Sequence, residues 1–315
     1  MDEISVDPAF ARADAYAPRV FPLVTKRSYG LGAGAFGLIA ATIACSTSIG
    51  TGSRRNGTGT VRVPAGDLVV DDGGSGSPPV LFVHGNGGNR KQWSVQLAHL
   101  RPRRRAIAFD LRGMGESERP SNADYSVEGF AGDVAVVADR LRLRRFVLVG
   151  HSFGGAVVAA YAGRHPDRLA GLVFADSAGD LRATPPEQIE KLRQELHPET
   201  YERFTQAWFS GILAHATEQT RGEVIRSLRA TPREVFVGAT MGLYEFPFSD
   251  SLARYRGPSL SIVSYLAENP VAVHRQVAGM PVVEIREASH WLMMDRPEQF
   301  NRILEDFLGS LPPEH

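Results

Sequence analysis

Residues 146–162 read FVLVGHSFGGAVVAAYA, an order of residues that few folds can accommodate. The run FVLV is short and wholly apolar, as in a strand buried on both faces, and the small apolar residues of 155–162 read as a buried helix. Between them stands Gly150-His151-Ser152-Phe153-Gly154, so Ser152 falls at a tight strand-to-helix turn. Glycines at 150 and 154 let the two backbones cross closely, and Gly155 adds clearance. A turn of this kind lifts the serine oxygen above the sheet and sets a backbone N–H at the helix start beside it. The Gly-x-Ser-x-Gly spacing is common on its own. Its weight here comes from the strand before it and the helix after it.

The same alternation runs along most of the chain. Apolar runs at 80–83, 105–109, 169–174, 259–265 and 282–285 read as strands, and 93–100, 127–141 and 298–308 read as helices. Short buried strands separated by helices predict an α/β fold: a mostly parallel central sheet with helices on both faces and a crevice at the C-terminal strand ends. Residues 61–70 alternate as an edge strand, and 71–79 form a turn rich in glycine, serine and proline. The interval 180–258 breaks the rhythm and reads as an inserted helical cap. Thr184-Pro-Pro-Glu187 and Thr231-Pro-Arg-Glu234 each resemble a capped helix start, and 201–213 and 218–228 read as further helices. Its aromatics, among them Tyr201, Phe204, Trp208, Phe209, Phe236, Tyr244, Phe246 and Phe248, exceed what a small cap needs for its own core, so some of them line an apolar pocket. The expected organisation is a leader and flexible linker over 1–60, a core over 61–179 and 259–315, and the cap over 180–258.

Lys+Arg and Asp+Glu each number 35, and this balance argues against nucleic acid as a partner. The basic cluster RPRRR at 101–105 reads as the flank of a surface turn. Cys45 is the single cysteine, which excludes an intrachain disulfide and a multi-cysteine metal site. Lys26-Arg27 precede the small, apolar stretch 31–45, a pattern that fits an export signal and predicts a cell-envelope or secreted protein. Small residues before Cys45 resemble the lipobox of bacterial lipoproteins, which implies a lipidated cysteine and a membrane anchor. The competing reading is a cytoplasmic enzyme with a weakly apolar extension.

A serine hydroxyl attacks only when a base takes its proton. His290 is the best-placed base, because it follows the last strand and precedes Asp295-Arg-Pro-Glu298, a pattern read as the capped start of the final helix. His151 lies inside the turn, His165 ends a helix, and His197, His215 and His274 fall in or near the cap. His84-Gly85-Asn86-Gly87-Gly88 follows the strand 80–83. The N–H of Asn86, paired with that of Phe153, would hold the oxyanion of a tetrahedral intermediate. This loop lacks the spacing of a phosphate cradle, and His84 reads as its structural anchor.

Together His84-Gly85-Asn86-Gly87, Phe109-Asp110-Leu111-Arg112-Gly113-Met114-Gly115-Glu116-Ser117, the turn at Ser152, and Ser289-His290-Trp291 before Asp295-Arg296-Pro297 resemble the α/β-hydrolase superfamily, in its lipase/esterase-like branch with a helical cap. The likeness runs over residues 60–311. It implies a serine hydrolase acting on carboxylic esters of small or apolar substrates through an acyl-enzyme, with no cofactor and no metal. The same superfamily holds acyltransferases, cofactor-free haloperoxidases and low-turnover ligand-binding relatives, which stand as alternatives. Ser152 argues against the members with an aspartate nucleophile. In the family Asp110 corresponds to a structural aspartate, and Glu116 reads as a surface or supporting group. The third catalytic member departs from the common pattern, because 262–270 reads IVSYLAENP with no aspartate. Two acids remain: Asp176, which ends the strand 169–174 facing the crevice, and Glu268, close to the usual position.

Overall fold

Short apolar strands need covering on both faces, and the computed structural model, which describes residues 57–64 and 66–313, shows how the chain covers them. Strands β1 (Gly57–Val63), β2 (Gly66–Gly73), β3 (Val80–Val83), β4 (Ala106–Phe109), β5 (Phe146–His151), β6 (Leu169–Ala175), β7 (Ser259–Val263) and β8 (Val282–Glu284) form one eight-stranded sheet in the order β1-β2-β4-β3-β5-β6-β7-β8. The β1–β2 and β2–β4 pairs are antiparallel, and every other pair is parallel.

Alternate residues of each strand enter different cores, as a period of two requires. Leu81, Val83 and Ile107 pack with Phe130 of α2 (Val127–Arg140) and Val157 of α3 (Phe153–Arg164). Val80, Phe82 and Ala108 pack with Leu97 of α1 (Ser94–Leu100) and with Phe300 of the C-terminal helix over Pro297–Ser310. The fold is therefore a largely parallel sheet between two helical layers.

Between β6 and β7 lie the cap helices α4 (Pro186–Glu195), α5 (Tyr201–Ile212), α6 (Glu218–Ala230), α7 (Arg233–Glu245) and α8 (Phe248–Leu252). After β7 come α9 (Val273–Gln276), then β8, α10 (Leu292–Asp295) and α11 (Pro297–Ser310).

Three local expectations change. The alternation read as one edge strand over 61–70 is a hairpin: Gly57–Thr60, expected in the spacer, pair with Val69–Asp72, and β2 continues to Gly73. The buried positions switch from odd, Val61 and Val63, to even, Leu68 and Val70, because Val61 lies opposite Leu68 across the reversal, and Gly66 turns the chain at φ +134°. Thr184 and Thr231 do not cap. The N-caps of α4 and α7 are Pro185 and Pro232, and neither makes a side-chain capping bond. The Thr231 hydroxyl instead donates to Ser227 O at 3.1 Å, because residues up to Ala230 are helical and bring that carbonyl within reach. Finally, α11 begins at Pro297 with Arg296 as its N-cap, so Asp295 is free for another role.

The arginine cluster is neutralised locally. Arg101 and Arg105 pair with Asp71 and Asp72 of β2 at 2.6 Å each, and Arg103 reaches Glu305 of α11 at 3.2 Å. Cys45 and the segment 31–45, on which the export and lipidation expectations rest, lie outside the described residues. Among the described residues no helix is long and apolar enough to cross a membrane.

Candidate active site

Ser152 sits between β5 and α3 with φ 52° and ψ −120°, a conformation that a residue with a side chain holds only under constraint. The constraint is visible on both sides: Ser152 N–H donates to Ala175 O at 3.0 Å, and Ser152 O accepts from Gly155 N at 2.9 Å. The glycine requirement is steric. A Cβ on Gly154 would lie 2.6 Å from Val83 O and 2.7 Å from His84 O, both main-chain atoms of the neighbouring strand end.

Parallel register brings the acid alongside. His151 pairs with Ala175 across β5 and β6, so the next residue of each strand, Ser152 and Asp176, emerges at the same end of the sheet. Asp176 is fully buried. Its Oδ1 accepts from Ser264 N at 2.9 Å and Leu266 N at 3.0 Å, and its Oδ2 lies 2.8 Å from His290 Nδ1. Glu268 is far less enclosed, with a side chain 77% exposed and paired with Arg275 at 2.9 Å. The fold thus brings Asp176, and not Glu268, to the imidazole.

The main chain of His290 is held from two directions. Its N–H donates to Ile212 O at the end of α5 at 3.1 Å, and its carbonyl accepts from His151 Nε2 at 2.8 Å. Asp295 braces the same loop: Oδ2 accepts from Ser289 N at 2.9 Å and Ser289 Oγ at 2.5 Å, and Oδ1 accepts from Thr217 N, the N-cap of α6, at 2.9 Å. These partners assign the protons. With its Nδ1–H directed at a carboxylate, His290 keeps the Nε2 lone pair open to accept a proton.

Two other histidines are structural. His84 donates from Nδ1 to Gly85 O at 2.8 Å and accepts from Leu111 N at Nε2 at 3.0 Å, tying together the loops after β3 and β4. Asp110 holds the second of these loops: it accepts from Arg90 N at 2.6 Å and Glu116 N at 2.9 Å, and it pairs with the Arg90 guanidinium. Glu116 is half exposed and bonds Arg90 and Lys91. Burial holds His84 and His151 below the ordinary histidine range, His151 well below it with a further push from His290. As pH falls through about 6.5 the unfolded chain therefore takes up protons that the folded chain does not. Stability present at neutral pH declines by up to about 1.4 kcal/mol per pH unit for each such histidine. Thermal melts from pH 7.5 to 5 are expected to show a steadily falling Tm, and a Tm constant over that window would contradict this assignment.

Ser152, His290 and Asp176 line a cavity of about 80 Å³, and Asn86 and Phe153 line it as well. Of the cap aromatics singled out from the sequence, Trp208, Phe209, Phe236 and Tyr244 line it. Phe246 and Phe248 pack instead into the core around α3, and Tyr201 and Phe204 pack within the opposite core. Sequence reasoning missed Ile212, Thr240 and the brace made by Asp295. Thr240 had a signal, standing one helical turn from both Phe236 and Tyr244 on one face of α7, and it also lines the cavity. Ile212 acts through its main chain and carried none.

Residues 78–228 match the family model for the alpha/beta hydrolase fold. A thermophilic esterase from Thermogutta terrifontis, solved with malate bound, superposes with a TM-score of 0.68 at 26% identity, over 82% of this chain and 99% of that one. The bromoperoxidase from Bacillus anthracis shares the fold with a TM-score of 0.71 at 22% identity, over 81% of this chain and 100% of that one. Over 113 residues the chain is 39% identical to the 2-hydroxymuconate semialdehyde hydrolase of Pseudomonas sp. (strain CF600), a match covering 35% of this chain and 40% of that protein. The chain belongs to the α/β-hydrolase superfamily and carries the inserted helical cap found among its esterase-like members. It is a hydrolytic enzyme of that fold.

Proposed function

We propose that this enzyme hydrolyses carboxylic esters of small or apolar substrates through Ser152, His290 and Asp176, by way of an acyl-enzyme. The observation that carries the reading is the 2.8 Å contact between Asp176 Oδ2 and His290 Nδ1, at a cavity that Ser152 shares. His290 Nε2 takes the Ser152 proton as Oγ attacks the acyl carbon, and the carbonyl electron pair moves onto its oxygen. That oxyanion accepts hydrogen bonds from the N–H groups of Asn86 and Phe153, which are placed before the charge develops. The imidazolium then protonates the leaving alkoxide as the C–O bond breaks. Water, deprotonated by His290, attacks the acyl-enzyme, and collapse returns the proton to Ser152 as the carboxylic acid departs. Throughout, Asp176 keeps the Nδ1 proton in place and balances the imidazolium charge.

Cavity size favours short acyl groups. At about 80 Å³ it is smaller than the roughly 150 Å³ cavity that accepts benzene. For a series of p-nitrophenyl esters from acetate to dodecanoate, kcat/KM is expected to peak at about two to six acyl carbons and to fall about tenfold or more by the longest. Ser152→Ala is expected to turn over none of them. A parent enzyme silent on the whole series would overturn the esterase reading.

A further inference from the structure

We propose that cap helix α7 holds the oxyanion donor in position, with Thr240 acting through the side chain of Asn86. The inference rests on the reading of the Asn86 N–H as an oxyanion donor and adds to it the element that fixes that N–H.

The loop after β3 has little stiffness of its own at Asn86. Gly85, Gly87 and Gly88 surround Asn86, Gly87 has φ +70°, and the local braces meet at one carbonyl, Gly85 O, which accepts from Gly88 N at 3.0 Å and from His84 Nδ1 at 2.8 Å. Asn86 is anchored from outside the loop. Its Nδ2 donates both hydrogens to α7, one to Phe236 O at 2.8 Å and one to Thr240 Oγ1 at 2.9 Å. Thr240 Oγ1 in turn donates to Phe236 O at 2.8 Å, so its lone pair is directed at Asn86. At the other end of the amide, Asn86 Oδ1 is buried without a partner among the described residues, leaving α7 as the anchor of this side chain. Three residues further on, Asn89 Nδ2 donates to Ser227 Oγ at 3.0 Å and Glu223 Oε1 at 3.2 Å on α6. The oxyanion loop is thus laced to two cap helices through side chains, whereas the group it offers to substrate is a main-chain N–H.

That division makes the two roles separable, because any residue at 86 other than proline keeps the N–H. It also couples cap position to chemistry. A cap displaced to admit substrate carries Thr240 away from Asn86, and the oxyanion site is complete once α7 is seated. Losing an oxyanion donor outright costs about 10² to 10³ in kcat, and loosening one that remains present is expected to cost about tenfold.

The test compares Asn86→Ala, Thr240→Val, the double variant and Thr240→Ser on p-nitrophenyl butyrate. Each of the first two is expected to lower kcat about tenfold with KM within about twofold, and the double variant to be no worse than either, because both break one linkage. Thr240→Ser keeps the hydroxyl and is expected to recover most of the lost rate. Inactivation by a p-nitrophenyl phosphonate, which places an oxygen where the oxyanion sits, should slow by the same factor. Parent-level kcat in Thr240→Val, or additive losses in the double variant, would overturn the proposal. A second measurement stands apart from turnover: backbone hydrogen exchange over 84–92 should quicken in Thr240→Val and not in Thr240→Ser. Unchanged exchange would overturn the linkage, whereas a parent inactive on every ester would count against the esterase reading and leave the exchange result to judge the linkage.

Discussion

Asp176→Asn is expected to lower kcat on short acyl esters by about 10³ to 10⁴ with the fold intact, whereas Glu268→Gln retains the parent rate. The substituted amide is nearly isosteric. Its oxygen can still accept from Ser264 N and Leu266 N, now made at 2.9 and 3.0 Å, so the turn after β7 keeps its anchor. What changes is the group facing His290 Nδ1. An NH₂ there donates instead of accepting, which forces Nδ1 to be the lone pair and moves the imidazole proton to Nε2, the atom required to take the Ser152 proton. The positive charge formed during attack also loses its buried counter-charge. Glu268 bonds Arg275 at 2.9 Å with its side chain largely in solvent, and nothing in that pair bears on the imidazole. Steady-state kinetics with circular dichroism as the folding control decide the matter. An Asp176→Asn enzyme within threefold of the parent, or a comparable loss in Glu268→Gln, would show the acid to be misassigned.

The largest expected effect on stability comes from a residue that ordinary helix preferences would call improvable. Gly154 lies in α3, where alanine gains up to about 1 kcal/mol in intrinsic propensity. At this position the added methyl meets Val83 O at 2.6 Å and His84 O at 2.7 Å, and because both are main-chain atoms of a fully buried strand end neither can rotate away. Overpacking of this kind costs about 3 kcal/mol and outweighs the propensity gain. Gly154→Ala is therefore expected to lower Tm by roughly 4–8 °C and to impair hydrolysis as well, since relief would come from shifting Ser152 or the oxyanion loop. Gly132→Ala provides the contrast. Gly132 is inside α2 with nothing among the described residues within 4 Å of its would-be Cβ, and there the propensity term should act alone and raise Tm slightly. Equal responses at the two sites in calorimetry would refute the steric account of the elbow.

Legibility in the sequence follows the range of the interaction concerned. The strand, turn and helix around Ser152 were readable because each is decided by residues within a few positions of one another, and β3, β4 and β6 announce themselves as continuous apolar runs. The hairpin of β1 and β2 was misread as one strand, since apolar and polar residues alternate on both sides of the turn and the switch from odd to even buried positions falls in the few residues between Val63 and Leu68. Asp295 was read as a helix cap because its local pattern is that of one. It is instead drawn to Ser289 N and to Thr217 N, and the second of these is 78 positions away in the chain.

The amino-acid order alone determined that this chain builds a doubly covered, mainly parallel sheet, that Ser152 stands at a tight strand-to-helix turn, and that His290 follows the last strand. The choice between Asp176 and Glu268 at the imidazole, and the helix that grips Asn86, were decided only in three dimensions. Both depend on distances between segments far apart in the chain. Parallel register sets His151 opposite Ala175 and so sets Ser152 beside Asp176, and the seating of α7 sets Thr240 against Asn86. Register and helix seating come from how whole faces pack, which no run of neighbouring residues encodes.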